Sequence, residues 1–339
     1  MDKILKVLVT GGNGQVATEY SLSKPIETID FLFLDKSALD ITKPKNIESS
    51  IKAFEPDVIV NLAAYTNVEK AEKKDVDTAF NVNSIGAKNL AIACQARHIP
   101  LIHVSTDYVF DGTKDSPYNE VDLENPMNQY GRTKFLGEKW IQEMHDWYYI
   151  LRVSWVYSNQ SNNFFTTMLK LAQERSELHI VEDQYGSPTS AKEVCRAIDH
   201  ILMKLDKKHT GIYHFSGLGK TTWKDFAAEI FSQTKISIKI NGIHSSSWKS
   251  EVTRPQNTYM SSDKFSKTFN YVPAHWKNAL REVVAERKIV PVKVGDIVKM
   301  NNKDHVIVAT DWLKRIATIT DTDDNDRKTV DIPFDILFL

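Results

Sequence analysis

Cysteine is almost absent from this chain, with only Cys94 and Cys195 among 339 residues. They lie far apart in helix-like stretches, so both are expected to be small buried hydrophobes rather than a disulfide or a nucleophile. An excess of one charge is also missing, since 43 basic residues nearly cancel 44 acidic ones for a formal net charge of −1. The two signs are interspersed, which removes the electrostatic footprint of a nucleic-acid binder. No apolar run approaches the ~18 to 20 residues that a bilayer-spanning helix needs, so no membrane partner is expected. The opening segment, Met1 to Val9, is too short in apolar length for a signal peptide and runs straight into a glycine loop. It reads as a first strand, and a cytoplasmic location is expected. On the same ground the sequon Asn159-Gln160-Ser161 is expected to stay unmodified.

What is present is a globular composition, 42% hydrophobic and 26% charged, in a chain longer than one compact core usually holds. Apolar runs of strand length recur at Leu5 to Val9, Phe31 to Leu34, Val58 to Asn61, Leu101 to Ser105 and Tyr149 to Val153. Helix-length stretches lie between them, including Lys45 to Phe54, Val76 to Arg97 and Thr133 to Met144. Near-continuous apolar strands alternating with helices predict an α/β fold, a doubly wound, Rossmann-like parallel sheet covered on both faces. The pattern loosens after Val156 into helices with short strands near His179 to Val181 and Gly211 to Phe215. These predict a core over about residues 1–157 and a smaller α/β substrate lobe, mainly 158–287, over the strand ends. Residues 288–339 change character: four short strand-like runs between turn-rich segments read as a small all-β module, barrel or sheet.

The segment Thr10-Gly11-Gly12-Asn13-Gly14-Gln15-Val16-Ala17 follows the first strand and opens a helix, the setting a phosphate-cradling loop requires. Gly11 would allow the tight turn, Gly14 the approach of a pyrophosphate, and Ala17 close packing of helix on strand. With them, Asn13, Gln15 and Val16 are expected cofactor contacts. Asp35, at the end of the next strand, suits a ribose hydroxyl and so NADH, whereas Lys36 beside it could meet a 2′-phosphate, so NADPH and NADH both stay open. Asp40 and Ile41 are expected under the adenine, although a turn-capping carboxylate explains Asp40 equally well. Ala63, Ala64, Tyr65 and Thr66, after the third strand, and Val104 on the fourth are further expected cofactor contacts.

Ser105-Thr106-Asp107 stands at the end of the fourth strand and Tyr130-Gly131-Arg132-Thr133-Lys134 on the helix that follows. The i,i+4 spacing sets a phenol and an ammonium on one helix face, where the cation would favour ionisation of a group that ordinarily titrates near ~10. Polariser, proton donor and cation together suit reduction of a carbonyl.

At these residues the chain resembles the extended short-chain dehydrogenase/reductases, and within them the dTDP-4-dehydrorhamnose reductases. The likeness also runs through Pro56 to Asn61, Val68 to Glu72, Ser154-Trp155-Val156-Tyr157, Asn162-Asn163-Phe164, Asp183 to Gly186, Thr221-Thr222-Trp223 and Arg254-Pro255, and covers roughly residues 4–287. It implies hydride transfer from NADPH or NADH to the C4 keto carbon of a nucleotide-linked 4-keto-6-deoxy sugar. Tyr130 would donate the proton, Lys134 hold the nicotinamide ribose and lower the tyrosine's pKa, and Thr106 bond the sugar oxygen. Asp107, Trp155, Asn163 and Arg254 would be substrate contacts. Lys192 stands where some members carry a glutamate implicated in a metal-bridged dimer, although Glu19 matches another of its ligands. No metal is expected, and a homodimer is left open. The alternatives are a non-catalytic NADP-binding regulatory subunit like the β subunit of methionine adenosyltransferase, and a reductase/epimerase acting on a UDP-sugar.

Overall fold

Five strands of almost unbroken apolar sequence lie side by side and run the same way: β1 (Leu5–Thr10), β2 (Ile29–Leu34), β3 (Val58–Asn61), β4 (Leu101–Thr106) and β5 (Tyr148–Val153). They belong to a computed structural model that describes residues 4–23, 28–287, 297–300, 303–311, 316–321 and 329–333. Their order is β2-β1-β3-β4-β5, every pairing parallel. Successive side chains serve opposite faces: Val7 and Val9 enter one apolar cluster and Leu8 between them enters the other. Helices α1 (Gln15–Leu22), α2 (Pro44–Phe54), α3 (Val68–Lys73), α4 (Val76–Phe80), α5 (Ala87–Gln95) and α6 (Gln129–Met144) fill the crossovers. From β1 the chain goes to β2 on one side and returns to β3 on the other. That reversal leaves a crevice at the carboxyl ends of β1 and β3, the place where such sheets take ligands.

The second half comprises β6 (Val156–Tyr157), α7 (Phe164–Glu174), β7 (Glu177–Val181), β8 (Tyr185–Gly186), β9 (Thr189–Ser190), α8 (Ala191–Leu202), β10 (Gly211–Phe215), β11 (Thr221–Thr222), α9 (Trp223–Thr234), β12 (Lys239–Ile243), α10 (Asp263–Phe269) and α11 (Trp276–Glu286). Part of it joins the sheet and core of the first half. Strand β10 pairs parallel with β5 as the sixth strand, and Val194, Ile198 and Ile201 of α8 share a cluster with Val7, Val9 and Ala17. The reason is burial, because β5 carries apolar side chains on both faces and needs a covered neighbour. The rest of the half gathers Phe165, Leu169, Leu178, Phe226, Ile230 and Leu280 into a separate core. Further along, β13 (Ile297–Met300), β14 (Lys303–Asp311), β15 (Ile316–Asp321) and β16 (Thr329–Pro333) pair antiparallel in chain order. Residues 288–296, where the sequence sets the start of that module, lie outside the described residues.

The helix expected from Val76 to Arg97 is three pieces, because a π-helical Asn81–Gly86 separates α4 from α5. This wider turn brings the Asn83 side chain inward. Its Oδ1 accepts from Tyr65 N at 2.8 Å and its Nδ2 donates to Tyr65 O at 3.0 Å and Thr133 Oγ1 at 3.1 Å. Helix α6 starts earlier than expected, at Gln129, because Asn128 caps it by accepting from Gly131 N at 2.9 Å. Two glycines let α6 lie against backbone. A Cβ at Gly131 would stand 2.2 Å from the Tyr108 carbonyl oxygen, and one at Gly137 2.2 Å from that of Asn83. Gly137→Ala is therefore expected to lower stability in denaturant unfolding by about 1–3 kcal/mol, the scale of overpacking. On an open helix face the same change would instead stabilise by about 0.5–1 kcal/mol.

Candidate active site

The crevice between β1 and β3 opens into a cavity of about 410 Å3 lined by Gly11, Asn13, Gly14, Asp35, Lys36, Asp40, Ile41, Ala63, Ala64 and Tyr65 among others. Gly11 has φ of +71°, and a Cβ there would stand 2.6 Å from Ala63 N, so the loop can only be this close to β3 with glycine. Helix α1 begins just after Gly14 with no side chain capping it and no acidic residue in its first turn. Its first-turn N–H groups lie next in sequence to the Gly14 wall of the cavity, a setting that suits a dinucleotide pyrophosphate. Asp35 accepts from Asn13 Nδ2 at 2.8 Å, Ser37 N at 2.9 Å, Ser37 Oγ at 2.6 Å and Ala38 N at 3.1 Å. The Ser37 hydroxyl first among them holds its carboxyl below the usual range, so Asp35 stays a charged acceptor on the cavity wall. Asp40 accepts from Thr42 N at 3.0 Å and Thr42 Oγ1 at 2.7 Å, which makes it a turn cap as well as a wall. Gln15, Val16, Thr66, Val104, Tyr130 and Lys134 do not line this cavity; Val16 and Val104 pack against the core, and Thr66 is exposed. Thr78 and Val82, which sequence reading missed, do line it. Their helix lies far along the chain and carries no local signal.

Strand alternation separates Ser105 from Thr106. Ser105 donates to Glu138, which is fully buried and paired with the fully buried Arg152, whose Nη2 donates to Glu138 Oε2 at 2.6 Å. Thr106 turns the other way, its hydroxyl within hydrogen-bonding reach of the Tyr130 phenol. Burial pushes that phenol above its ordinary value against the Thr106 contact, and the charges that bear on it are those of Asp107 and Tyr108. Lys134 meets groups of β4. Its Nζ donates to Val104 O at 2.7 Å and faces His103 Nε2 at 3.2 Å, and burial lowers its pKa to about 8.

Four further residues were expected to touch substrate. Asp107 is buried, accepts from Ser154 Oγ at 2.9 Å and Thr106 Oγ1 at 3.1 Å, and is raised by burial to about 6. Trp155, with φ of +47°, stacks on Trp223 at 3.5 Å and 6°, and Gly186 lies so close to its other side that a Cβ would stand 2.5 Å from the indole. Asn163 is a helix cap. Its Oδ1 caps α7 by accepting from Thr166 N at 3.2 Å, and its Nδ2 donates to Ser158 O at 2.9 Å and Gln160 O at 3.0 Å. Both amide N–H groups and one lone pair of Oδ1 thus go to backbone, which leaves the second lone pair of Oδ1. Arg254 pairs with Glu69 at 2.6 Å and bears on Tyr108, whose ring meets that of Tyr130 edge-on at 5.8 Å. It also lines a second cavity, of about 560 Å3, with aromatic Phe164, Trp223 and Trp248 and basic Arg175 and His179. Away from both cavities, the Lys192 ammonium bonds Glu286 and bears on Glu19, and no cluster able to hold a metal occurs among the described residues. No helix among the described residues is long and apolar enough to cross a membrane.

Asp107 yields a pH-dependent expectation. Its folded-state pKa, about 6, lies above the unfolded carboxylate value, so the folded state binds the extra proton and loses relative stability as pH rises between the two. Asp107→Asn removes that cost. Its melting temperature is expected to exceed the parent's by more at pH 8 than at pH 5, and an equal difference at both would place the titration elsewhere.

The family described as "RmlD substrate binding domain" matches residues 5–289. A dTDP-4-dehydrorhamnose reductase of Sinorhizobium fredii is 38% identical over 288 residues, covering 83% of this chain and 97% of its own. The Salmonella typhimurium reductase of the same name is 34% identical over 293 residues, covering 83% and 98%. Among solved structures, a Bacillus anthracis dTDP-4-dehydrorhamnose reductase in complex with NADP superposes with a TM-score of 0.79 at 32% identity, covering 83% of this chain and 99% of that one. A Thermus thermophilus UDP-glucose 4-epimerase in complex with NAD, at 18% identity and a TM-score of 0.71, shares the fold alone. With the glycine cradle, the Thr106–Tyr130 contact and a match over nearly the whole length of those relatives, the chain belongs to the RmlD family of nucleotide-sugar reductases.

Proposed function

We infer that the protein is an NAD(P)H-dependent reductase of the C4 ketone of a nucleotide-linked 4-keto-6-deoxy sugar. Its relatives' names point to dTDP-4-dehydrorhamnose, reduced to dTDP-rhamnose. The observation that carries this reading is the Thr106 hydroxyl beside the Tyr130 phenol at the end of β4. A bound reduced nicotinamide supplies the hydride. Thr106 bonds the ketone oxygen as it gains charge, and Tyr130 donates its proton to that oxygen as the hydride reaches carbon. The raised phenol suits the reductive direction, because the donor must arrive protonated. Burial, which works against ionisation, thus serves the reaction better than an adjacent cation would.

The roles of the remaining residues follow from where they stand. The N-terminus of α1 and the Gly11 to Gly14 loop bind the cofactor pyrophosphate, with Asp35 and Lys36 at the adenosine ribose. Arg254 and Arg175 supply cationic donors for the diphosphate of the substrate in the larger cavity, and Phe164, Trp223 and Trp248 offer faces for its base and sugar. Trp155 acts from behind Trp223 and holds that wall. A cytoplasmic location accords with a water-soluble nucleotide sugar and cofactor.

Tyr130→Phe is expected to cut kcat by roughly 10²-fold or more, the scale of general-acid catalysis, while cofactor binding survives. Turnover at the parent rate would remove Tyr130 from the proton-donor role. We treat residues 5–289, the span the family matches, as the complete catalytic unit. Removing residues 290–339 should accordingly leave turnover of dTDP-4-dehydrorhamnose within a few-fold of the full chain, measured by loss of reduced-nicotinamide absorbance. A folded but inactive truncation would show that the final segment completes the site.

A further inference from the structure

Lys134 is buried at the carboxyl ends of the strands, and what faces its amine is a chain of neutral groups. His103, wholly buried on β4, presents Nε2 to Lys134 Nζ at 3.2 Å, and its Nδ1 lies 2.8 Å from Nδ2 of Asn61 on β3. The far side of Asn61 settles which way its amide points. Oδ1 lies 2.6 Å from Thr10 Oγ1 and 3.2 Å from Ala63 N. A backbone N–H can only donate, so the oxygen must face Ala63 and the NH2 must face the imidazole. His103 Nδ1 therefore accepts, and the single proton of the neutral ring sits on Nε2, aimed at Lys134. Burial, the larger cause, holds the ring neutral whichever form Lys134 takes.

This arrangement has room for one proton fewer than the usual ammonium brings. With NH3+ at Lys134, two donors meet across 3.2 Å; with NH2, the lone pair accepts from Nε2–H while one N–H still donates to Val104 O. Reversing the tautomer only moves the clash to Asn61 Nδ2, and flipping the amide moves it on to Ala63 N.

We propose that His103, locked in its Nε2-protonated tautomer by Thr10, Asn61 and Ala63, is a positioning residue that favours the neutral amine of Lys134 and so sets the pH at which that group exchanges its proton. Glu138, one turn further along α6, acts the other way, but its carboxylate is shared between Arg152 and Ser105. Asp107 and Tyr108 bear on Tyr130. Burial acts in the same direction as His103, and a Lys134 pKa of about 8 leaves both forms within working range. The link to turnover rests on the reductase reading: an amine that titrates there can return a proton toward Tyr130 after each reduction.

Asn61→Asp tests this, because a carboxylate accepts where the amide donates. His103 would place its proton on Nδ1, and Nε2 would then accept from a Lys134 ammonium. In the full-length protein, histidine-directed 15N NMR without substrate should show Nε2–H in the parent and Nδ1–H in Asn61→Asp. The alkaline limb of the kcat/KM profile should move upward by about one pH unit or more in the variant. A parent with its proton on Nδ1 overturns the proposal whether or not the variant folds. A folded variant with the tautomer reversed and the limb unmoved overturns it equally. Absence of parent turnover with every 4-keto nucleotide sugar would sink the reductase reading, and the NMR would still decide the tautomer.

Discussion

Helix α6 lies within backbone distance of two neighbours, and everything at this site depends on that approach. The absent side chains of Gly131 and Gly137 permit it, one against the Tyr108 carbonyl and the other against the carbonyl of Asn83. At that depth Tyr130 meets Thr106, and Lys134 reaches the ends of β3 and β4. A helix about one methyl group further out would carry the same residues and assemble no site. The approach is held from below by Arg152 on β5 and Glu138 on α6, a fully buried pair with Glu124 and Ser105 also bonded to it. Such a pair is costly to desolvate and adds little net stability, but losing one partner strands a buried charge, so it fixes how the helix sits. It also engages Ser105, which leaves Thr106 as the hydroxyl free to face a carbonyl.

Burial sets the protonation pattern of the site more than charge pairing does. The phenol of Tyr130 rises, Asp107 rises to about 6 and Lys134 falls to about 8, each shift led by desolvation. Three groups whose ordinary values span the pH scale are thus drawn toward their neutral forms. A neutral phenol is a proton donor, and an amine that titrates at about 8 can receive and return protons. A site that must deliver one proton per cycle without exposing charge to water is served by this compression.

Much of the architecture was legible because it is written in local pattern. Parallel strands covered on both faces must be apolar throughout, so β1, β3 and β4 announce themselves, and a glycine loop between strand and helix marks the anion cradle. The lining of Gly11, Asn13, Gly14, Asp35, Lys36 and Ala63 followed from that logic. What stayed hidden was non-local. The sixth strand, Gly211–Phe215, reads like any short strand, and only pairing with β5 gives it a place. The π-helical turn at Asn81–Gly86 has no propensity signature, and the capping of α7 by Asn163 shows only in its hydrogen bonds.

The sequence by itself determined the inventory: a dinucleotide cradle, a hydroxyl at a strand end, and a tyrosine and a lysine on one helix. These are fixed by spacing along strands of period two and helices of period 3.6, which composition alone constrains. Tertiary structure decided how they are used. The i,i+4 rule brought Tyr130 and Lys134 to one helix face but could not say that the ammonium turns down toward Val104 O and His103, because those partners arrive from another strand. Proton affinity is set by burial and by what each group faces, and both are properties of the packed chain rather than of neighbouring residues in it.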